Sequence, residues 1–177
     1  MNQPLFPLVS GLPSPSTSTV LIIDDNPDNL SFAVYSLEEN GFNVVVAQDG
    51  SSGLKRAQDT QPHLILLDVL MPNMDGFETC RRLKLNEETC DIPVIFMSAL
   101  SDTEDKVKGF EVGAVDYVTK PIQREELLAR ITTHLRIQAL TKQLQQQNQK
   151  LQQQAIELAQ AKQAIEEVNQ ELQYVAY

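Results

Sequence analysis

Five polar side chains stand at or just after the ends of short apolar segments, where a sequence of this kind can carry chemistry. Asp24 and Asp25 close the first segment, Asp68 closes the third, Ser98 closes the fourth, and Lys120 follows the fifth. In an open α/β sheet, ligands bind outside the carboxyl ends of the strands, so we expect these five residues to meet at one edge. Three carboxylates packed together repel one another unless a cation lies among them.

The types of these side chains point to phosphoryl transfer. Oxygen ligands favour a hard cation, so we predict a Mg²⁺ site at the carboxylates, with Mn²⁺ as an alternative. A carboxylate can also attack phosphorus and form an aspartyl phosphate. The transfer then needs positioning and charge neutralisation, which the metal and Lys120 would supply. Each residue alone has an ordinary role, such as capping a helix or ending a strand, but their joint placement favours a site.

The elements that must position these residues alternate along the chain. Runs of Val, Ile and Leu without clean alternation are typical of parallel strands covered on both faces. We predict strands at 20–24, 43–47, 63–68, 93–98 and 114–118. We predict helices at 27–39, 51–60, 76–84, 103–112 and 124–135. Because parallel neighbours need crossover connections, this order predicts a doubly wound, five-stranded α/β sheet.

Charge and composition exclude several classes of protein. The chain has 24 acidic residues, 14 Lys or Arg residues and a formal net charge of −10, and the whole imbalance lies within 19–133. Such a segment offers no basic surface to nucleic acid or to an anionic membrane. No apolar stretch approaches the about 20 residues of a membrane span, no signal-peptide pattern opens the chain, and two cysteines are too few for a disulfide framework. We expect a cytoplasmic protein.

Composition divides the chain into three segments. Residues 1–18 carry no charge and are rich in Pro and Ser, which predicts a flexible leader. Residues 19–135 carry the α/β pattern. Residues 136–177 contain no Pro or Gly, and 13 glutamines fall between Gln138 and Gln173.

The last segment has the spacing of a coiled coil. Apolar residues, with two glutamines among them, recur at alternating steps of three and four over more than five heptads. The seam positions are Ile137, Leu140, Leu144, Gln147, Leu151, Gln154, Leu158, Ala161, Ile165, Val168, Leu172 and Val175. In this register Glu157 and Lys162 take g and e positions, which suits a parallel pair. We predict a parallel homodimer through residues 136–177; the alternative is one amphipathic helix packed on its own domain.

Residues 19–136 resemble the receiver domain of two-component response regulators. The resemblance rests on VLIIDDNPDN (20–29), LILLDVLMPNMDGFE (64–78), IPVIFMSAL (92–100) and GAVDYVTKPI (113–122). It implies a flavodoxin-like sheet with strand order 2-1-3-4-5. It also implies a phosphorylation-activated signalling switch rather than an enzyme in its own right, with a cognate histidine kinase as its partner.

The resemblance assigns a role to each residue of the site. It implies that Asp68 is the phosphoacceptor and that Asp24, Asp25, Asp68 and the main-chain carbonyl of Leu70 surround the metal ion.

Three further positions match residues that respond to the phosphoryl group in the family. By the resemblance, Ser98 is the hydroxyl that binds a phosphoryl oxygen and Lys120 pairs with the phosphate. Tyr117 occupies the position of the aromatic switch. The Lys120–Pro121 peptide bond is expected to be cis, which the proline permits. His63 and His134 lack the context of a phosphodonor histidine, and we assign both to ordinary structure.

Two other classes of function use a similar fold or nucleophile. A haloacid-dehalogenase-like phosphatase also has a strand-end Asp nucleophile with Mg²⁺, but Leu70 stands where its second Asp would be. A flavin or nucleotide carrier would need a phosphate-binding loop after the first strand, and DDNPDN has the wrong charge for that. The heptads run to the last residues of the sequence, so we expect an output domain beyond Tyr177, of the diguanylate cyclase or histidine kinase type.

Overall fold

The computed structural model describes residues 17–99 and 103–175, and at 103–106 and 175 the backbone alone. The predicted leader at 1–18 therefore lies outside the described residues, apart from Thr17 and Ser18. Ser18 is buried, and its carbonyl oxygen accepts a hydrogen bond from the Asn43 N–H at 3.0 Å. Packing of the described chain thus begins at this residue.

Five parallel strands form one sheet in the order β2-β1-β3-β4-β5, which confirms the predicted topology. They are β1 (Thr19–Ile23), β2 (Asn43–Ala47), β3 (Leu64–Asp68), β4 (Val94–Ser98) and β5 (Asp116–Thr119). Their ends differ from the prediction by at most two residues, because a strand ends where its ladder of hydrogen bonds ends and not where the apolar run ends.

Five helices connect and follow the strands. They are α1 (Pro27–Glu38), α2 (Gly50–Thr60), α3 (Gly76–Leu85), α4 (Thr103–Glu111) and α5 (Arg124–Val175). Asn26 caps α1 by accepting hydrogen bonds from the backbone N–H groups of Asp28 and Asn29, and Pro27 takes the first helical position. The chain leaves α1 through Gly41, whose φ of 84° is left-handed.

Alternate residues of the strands build a separate apolar core on each face of the sheet. Leu21 and Ile23 of β1 pack on one face, and Val20 and Ile22 pack on the other. All five residues of β3 and all five of β4 are buried. These central strands are covered on both faces, which is why their sequences show no polar alternation.

Ion pairs and hydrogen bonds connect the first turns of α5 to the start of β5. Asp116 accepts a hydrogen bond from Arg130 at 2.6 Å and lies 2.9 Å from Nε2 of His134. Burial raises the pKa of Asp116, but the hydrogen bonds from His134 and Arg130 outweigh it, and the pKa lies below its usual value. Since the folded pKa is depressed, this carboxylate stabilises the fold above its unfolded pKa, and that contribution is lost as pH falls through the folded value.

The long helix α5 spans the division of the chain into two units, 1–138 and 139–177. In the second unit, every side chain from 140 to 174 is exposed, including those of the heptad seam. Among the helices of the described residues, none is both long enough and apolar enough to cross a membrane.

Gly76 allows α3 to start against the end of β3, because it has no side chain that would meet the backbone there. A Cβ at residue 76 would lie 2.8 Å from the Val69 Cα and 2.9 Å from the carbonyl carbon of Asp68, both rigid backbone atoms. We expect Gly76→Ala to destabilise the domain by about 1–3 kcal/mol, as overpacking does. Urea unfolding followed by circular dichroism measures this loss.

Ser51→Ala is the matched control, because Ser51 is exposed in the first turn of α2. It should change the free energy of unfolding by no more than about 0.5 kcal/mol. Equal stabilities of Gly76→Ala and the wild type would show that residue 76 has more room than its backbone neighbours allow.

Candidate phosphorylation site

The parallel register brings two aspartate-bearing strand ends side by side. Ile23 of β1 pairs with Leu67 of β3, so the next residue of each strand, Asp24 and Asp68, reaches the same edge. Asp24 and Asp68 are buried, whereas Asp25 is exposed. One carboxylate oxygen from each of the three residues lies within 4.8 Å of the other two. The predicted convergence of the three acids is therefore present.

Lys120 binds two of these carboxylates at once. Its Nζ lies 2.9 Å from Oδ2 of Asp24 and 2.9 Å from Oδ2 of Asp68. The lysine follows β5, its backbone N–H donates to the Ser98 carbonyl oxygen at 2.9 Å, and the Lys120–Pro121 peptide bond is cis, as expected. One half-buried cation thus balances part of the charge of a three-carboxylate cluster.

Two asparagines that sequence reasoning did not single out support Asp24. Its Oδ1 accepts a hydrogen bond from the Asn26 N–H at 2.8 Å, and the Asn29 side-chain amide donates to Oδ2 at 3.1 Å. Both residues belong to the DDNPDN segment, where they could be read as helix-capping residues only. Their contacts depend on α1 starting at Pro27, directly after its Asn26 N-cap. The sequence predicts a helix from residue 27 but not the direction of these side chains.

Burial and charge both perturb the ionisation of this cluster. Burial raises the pKa of Asp68; the hydrogen bond from Lys120 lowers it, the charge of Asp24 raises it, and the pKa remains above its ordinary value. Burial lowers the pKa of Lys120, but its hydrogen bonds to Asp24 and Asp68 outweigh burial and leave the pKa raised. The lysine is therefore a permanent cation at neutral pH.

The remaining predicted residues lie around the cluster in different environments. Ser98 is buried at the end of β4, and Tyr117 is buried in β5. Leu70 donates its backbone N–H to Oδ1 of Asp68 at 3.3 Å, while its side chain is 58% exposed. The two histidines lie elsewhere: His63 accepts a hydrogen bond from the Thr19 N–H at its Nδ1, and His134 lies beside Asp116.

The donor set fits a divalent cation such as Mg²⁺. Three carboxylates offer only hard oxygen ligands, and one lysine cannot neutralise all three. Mg²⁺ uses few protein ligands and keeps several of its waters, so an open site with one exposed acid, Asp25, suits it. Asp24, Asp25 and Asp68 are the residues that would bind the ion.

The family description "Response regulator receiver domain" matches residues 20–132. The chain belongs to this family. It is a signalling domain of two-component systems with an acidic phosphorylation site, and receiver domains of this kind are phosphorylated by histidine kinases. The strand order and the long C-terminal helix agree with the expected architecture.

Relatives of known identity carry the same domain in different proteins. The DNA-binding dual master transcriptional regulator RpaA of Synechocystis sp. is 46% identical over 117 residues, which cover 66% of this chain and 48% of that protein. A Vibrio cholerae protein named "Probable cyclic di-GMP phosphodiesterase" is 42% identical over 120 residues, covering 68% of this chain and 27% of the relative. The chain thus spans about half of one relative's length and less of the other.

Among solved structures, the receiver domain of the sensor histidine kinase PA1611 from Pseudomonas aeruginosa superimposes with a TM-score of 0.63 at 26% identity. The match covers 67% of this chain and 97% of that domain, whose active-site cleft coordinates a magnesium ion. The Francisella response regulator 1452 receiver domain matches with a TM-score of 0.62 at 34% identity, over 67% of this chain and 96% of that one.

The excess negative charge of this receiver site should lower the free energy of unfolding at neutral pH. We expect Asp68→Asn to raise the free energy of unfolding by about 1 kcal/mol at pH 7 without divalent cations, because it removes a buried charge beside Asp24. The folded pKa of Asp68 lies above the unfolded one, so the wild type loses stability as pH rises through that interval. The variant should lack this loss. Thermal melts between pH 4 and 7 measure both effects.

Asp75→Asn is the matched control for this charge removal. Asp75 is exposed and accepts a hydrogen bond from the Glu78 N–H as the N-cap of α3, a role that Asn fills equally well. Its melting temperature should stay near that of the wild type. A lower melting temperature for Asp68→Asn at pH 7 would mean that the Lys120 ion pair outweighs the repulsion.

Proposed function

We propose that Asp68 accepts a phosphoryl group from a histidine kinase and that the change is passed through a dimeric helix to an output domain. The observation that carries the proposal is the Lys120 ammonium bound at 2.9 Å to both Asp24 and Asp68. The buried carboxylate that would act as the nucleophile thus has a cation beside it, and this cation can neutralise charge on the incoming phosphoryl group.

The transfer is a displacement at phosphorus. A carboxylate oxygen of Asp68 attacks the phosphorus atom, a P–O bond forms, and the P–N bond to the kinase histidine breaks. The imidazole leaves as the neutral ring, because its other nitrogen already carries a proton. Lys120 then pairs with the new phosphate, and the reaction mainly requires positioning and charge neutralisation. In this sense the domain catalyses its own phosphorylation and is not an enzyme with a separate substrate.

Asp24, Asp25, Asp68 and the main-chain carbonyl of Leu70 are proposed to bind Mg²⁺, with Mn²⁺ as a substitute. When bound, the ion supplies charge neutralisation at the phosphoryl oxygens. The exposed Asp25 and the buried Asp24 approach the same point from one short segment, which supports a metal ligand pair. Asn29 and Lys120 fix the Asp24 carboxylate from two sides.

Ser98 and Tyr117 are proposed to report the state of Asp68. Ser98 lies on β4, which pairs with β3, and Tyr117 lies on β5, which pairs with β4. The β4–β5 register pairs Ser98 with Thr119, two residues after Tyr117. A hydroxyl that moves to bind a phosphoryl oxygen would therefore disturb the strand that carries the tyrosine. The large Tyr117 ring changes the surface near α4 when it moves.

The described part of α5 beyond the receiver supports a coiled-coil dimer. Its seam residues are 51–72% exposed where the side chain is Leu, Ile or Val, for example Leu144 at 58% and Leu158 at 72%. An apolar stripe of this length is stable in water only when a partner covers it, and its heptad spacing fits an identical helix. We therefore assign 1–18 to a leader, 19–135 to the receiver and 136–177 to dimerisation and signal transmission.

The output domain is proposed to be of the diguanylate cyclase or histidine kinase type, in the same polypeptide or on a partner. The coiled coil supports such an output, because a rotation or shift of paired helices can be transmitted over the about 55 Å of residues 139–175. The net charge of −10 argues against direct binding to nucleic acid or an anionic membrane, and we place the protein in the cytoplasm.

The phosphorylation proposal is tested with acetyl phosphate and Mg²⁺. We expect the intact chain to gain one acid-labile phosphoryl group and Asp68→Asn to gain none, because the variant lacks the nucleophile. Chelating the metal should abolish the gain in the wild type. Intact-mass spectrometry measures the incorporation.

Asp75→Asn serves as the control here too, since it makes the same chemical change at an exposed aspartate of the neighbouring helix cap. It should be phosphorylated like the wild type. Equal incorporation in Asp68→Asn and in the wild type would remove Asp68 from the proposal.

The dimer proposal is tested by replacing two seam residues. Leu144→Asp with Leu151→Asp should convert a dimer into a monomer of 19.8 kDa, because charges would replace side chains whose burial contributes about 1.5–3 kcal/mol each. Light scattering at micromolar concentration measures the mass. Phosphorylation of Asp68 should be retained.

Gln145→Asp with Gln152→Asp is the matched control, one residue along the helix from each leucine and outside the seam. This pair introduces the same charges and helix propensities and should remain dimeric. A monomeric wild type, with a mass per chain unaffected by the seam variants, would contradict the coiled coil.

A further inference from the structure

We propose that Gly109 of α4 forms the pocket that lets the Tyr117 ring stay buried, and so sets the balance between the buried and exposed positions of this tyrosine. The inference rests on the proposed role of Tyr117 as a switch, and it names the residue that regulates it. Gly109 is buried, and the three atoms nearest to a Cβ at this position belong to Tyr117 and Phe96.

A side chain at residue 109 would need space that neighbouring atoms already fill. A Cβ built on Gly109 would overlap the Tyr117 hydroxyl oxygen, and it would lie 2.6 Å from Cζ of Tyr117 and 3.1 Å from Cδ2 of Phe96. Phe96 is fully buried, so it cannot make room. The Tyr117 ring occupies the volume in which any other residue would place its first side-chain atom.

The backbone does not require glycine at this position. In the described residues, the glycines with left-handed φ are Gly41 and Gly113, and Gly109 lies within the helical span Thr103–Glu111. Glycine in a helix lowers stability relative to alanine, because it loses more conformational freedom on folding. The space that the Tyr117 ring needs is therefore the physical reason for glycine at position 109.

Tyr117 connects buried rings to an exposed one. Phe77 at the start of α3 packs on Phe96 with ring centroids 5.4 Å apart, Phe96 packs on Tyr117 at 5.5 Å, and Tyr117 packs on Phe110 at 5.5 Å. Phe110 is 53% exposed on α4, next to Gly109 in the chain. Moving the tyrosine out of the pocket would remove a contact from Phe110 and change the surface formed by α4 and β5.

Two opposing effects make the substitution Gly109→Ala informative. Its effect on helix propensity alone raises the melting temperature, whereas its clash with a buried Tyr117 lowers it. We expect the melting temperature to fall in the wild-type background. In the Tyr117→Leu background the hydroxyl that would clash is absent, and Gly109→Ala should raise the melting temperature. This reversal of sign isolates the contact between residues 109 and 117.

The position of Tyr117 is measured by fluorine NMR of the full chain labelled with fluorotyrosine, in the presence of a soluble paramagnetic agent. Tyr174 is 92% exposed and provides the reference for a solvent-accessible ring, and Tyr117→Phe assigns the resonance. In the wild type, the Tyr117 resonance should be relaxed far less than that of Tyr174. In Gly109→Ala it should approach the Tyr174 value, while Glu111→Ala, an exposed change in the same helix, should leave it unchanged.

Each outcome decides for or against the pocket. A protected Tyr117 with a raised melting temperature in Gly109→Ala overturns the proposal. If Gly109→Ala does not fold but Gly109→Ala with Tyr117→Leu does, the clash is supported; if neither folds, the clash lies elsewhere and the proposal fails. Incorporation of phosphate from acetyl phosphate is measured in parallel, and its absence in the wild type would count against the proposed phosphorylation alone, because the ring measurement needs no phosphate.

Discussion

Two buried carboxylates share one lysine as their counter-ion, and this pairing constrains where the strands of the sheet must end. Lys120 reaches Asp24 and Asp68 only if β1, β3 and β5 end at the same edge of the sheet. Removing two charges from water is costly unless each is paired. The doubly wound sheet, its order and its buried central strands provide the low-dielectric walls and the fixed strand ends that make this pairing possible.

The charges of this cluster suit its function better than they suit the stability of the fold. Three carboxylates and one ammonium leave an excess of negative charge. Burial, with a smaller contribution from the charge of Asp24, keeps the pKa of Asp68 above its ordinary value. A divalent cation or an added phosphoryl group would change that balance, since both act on carboxylate oxygens that lie within 4.8 Å of one another. A site with all charges neutralised would respond less to phosphorylation, so we regard the residual repulsion as part of the switching mechanism.

Sequence patterns predicted the topology and the acidic edge because both follow from local rules: apolar runs without alternation mark central strands, and ligands gather at their carboxyl ends. The contacts that were missed depend on side-chain direction after folding. Asp116 meets Arg130 and His134 through the placement of α5 on β5, and Asn29 donates to Asp24 from the first turn of α1. Gly109 could not be predicted from a pattern, because its role depends on the volume that the Tyr117 ring fills in the folded chain.

We propose that the phosphoryl group resides on Asp68, and mapping of the modified residue distinguishes Asp68 from the other aspartates. The full chain is treated with acetyl phosphate and Mg²⁺, the acyl phosphate is reduced with borohydride, and the peptides are sequenced by mass spectrometry. Reduction converts a phosphorylated aspartate into homoserine, and we expect homoserine at position 68 alone. Homoserine at position 24, 25 or 75 with an unmodified Asp68 would contradict it.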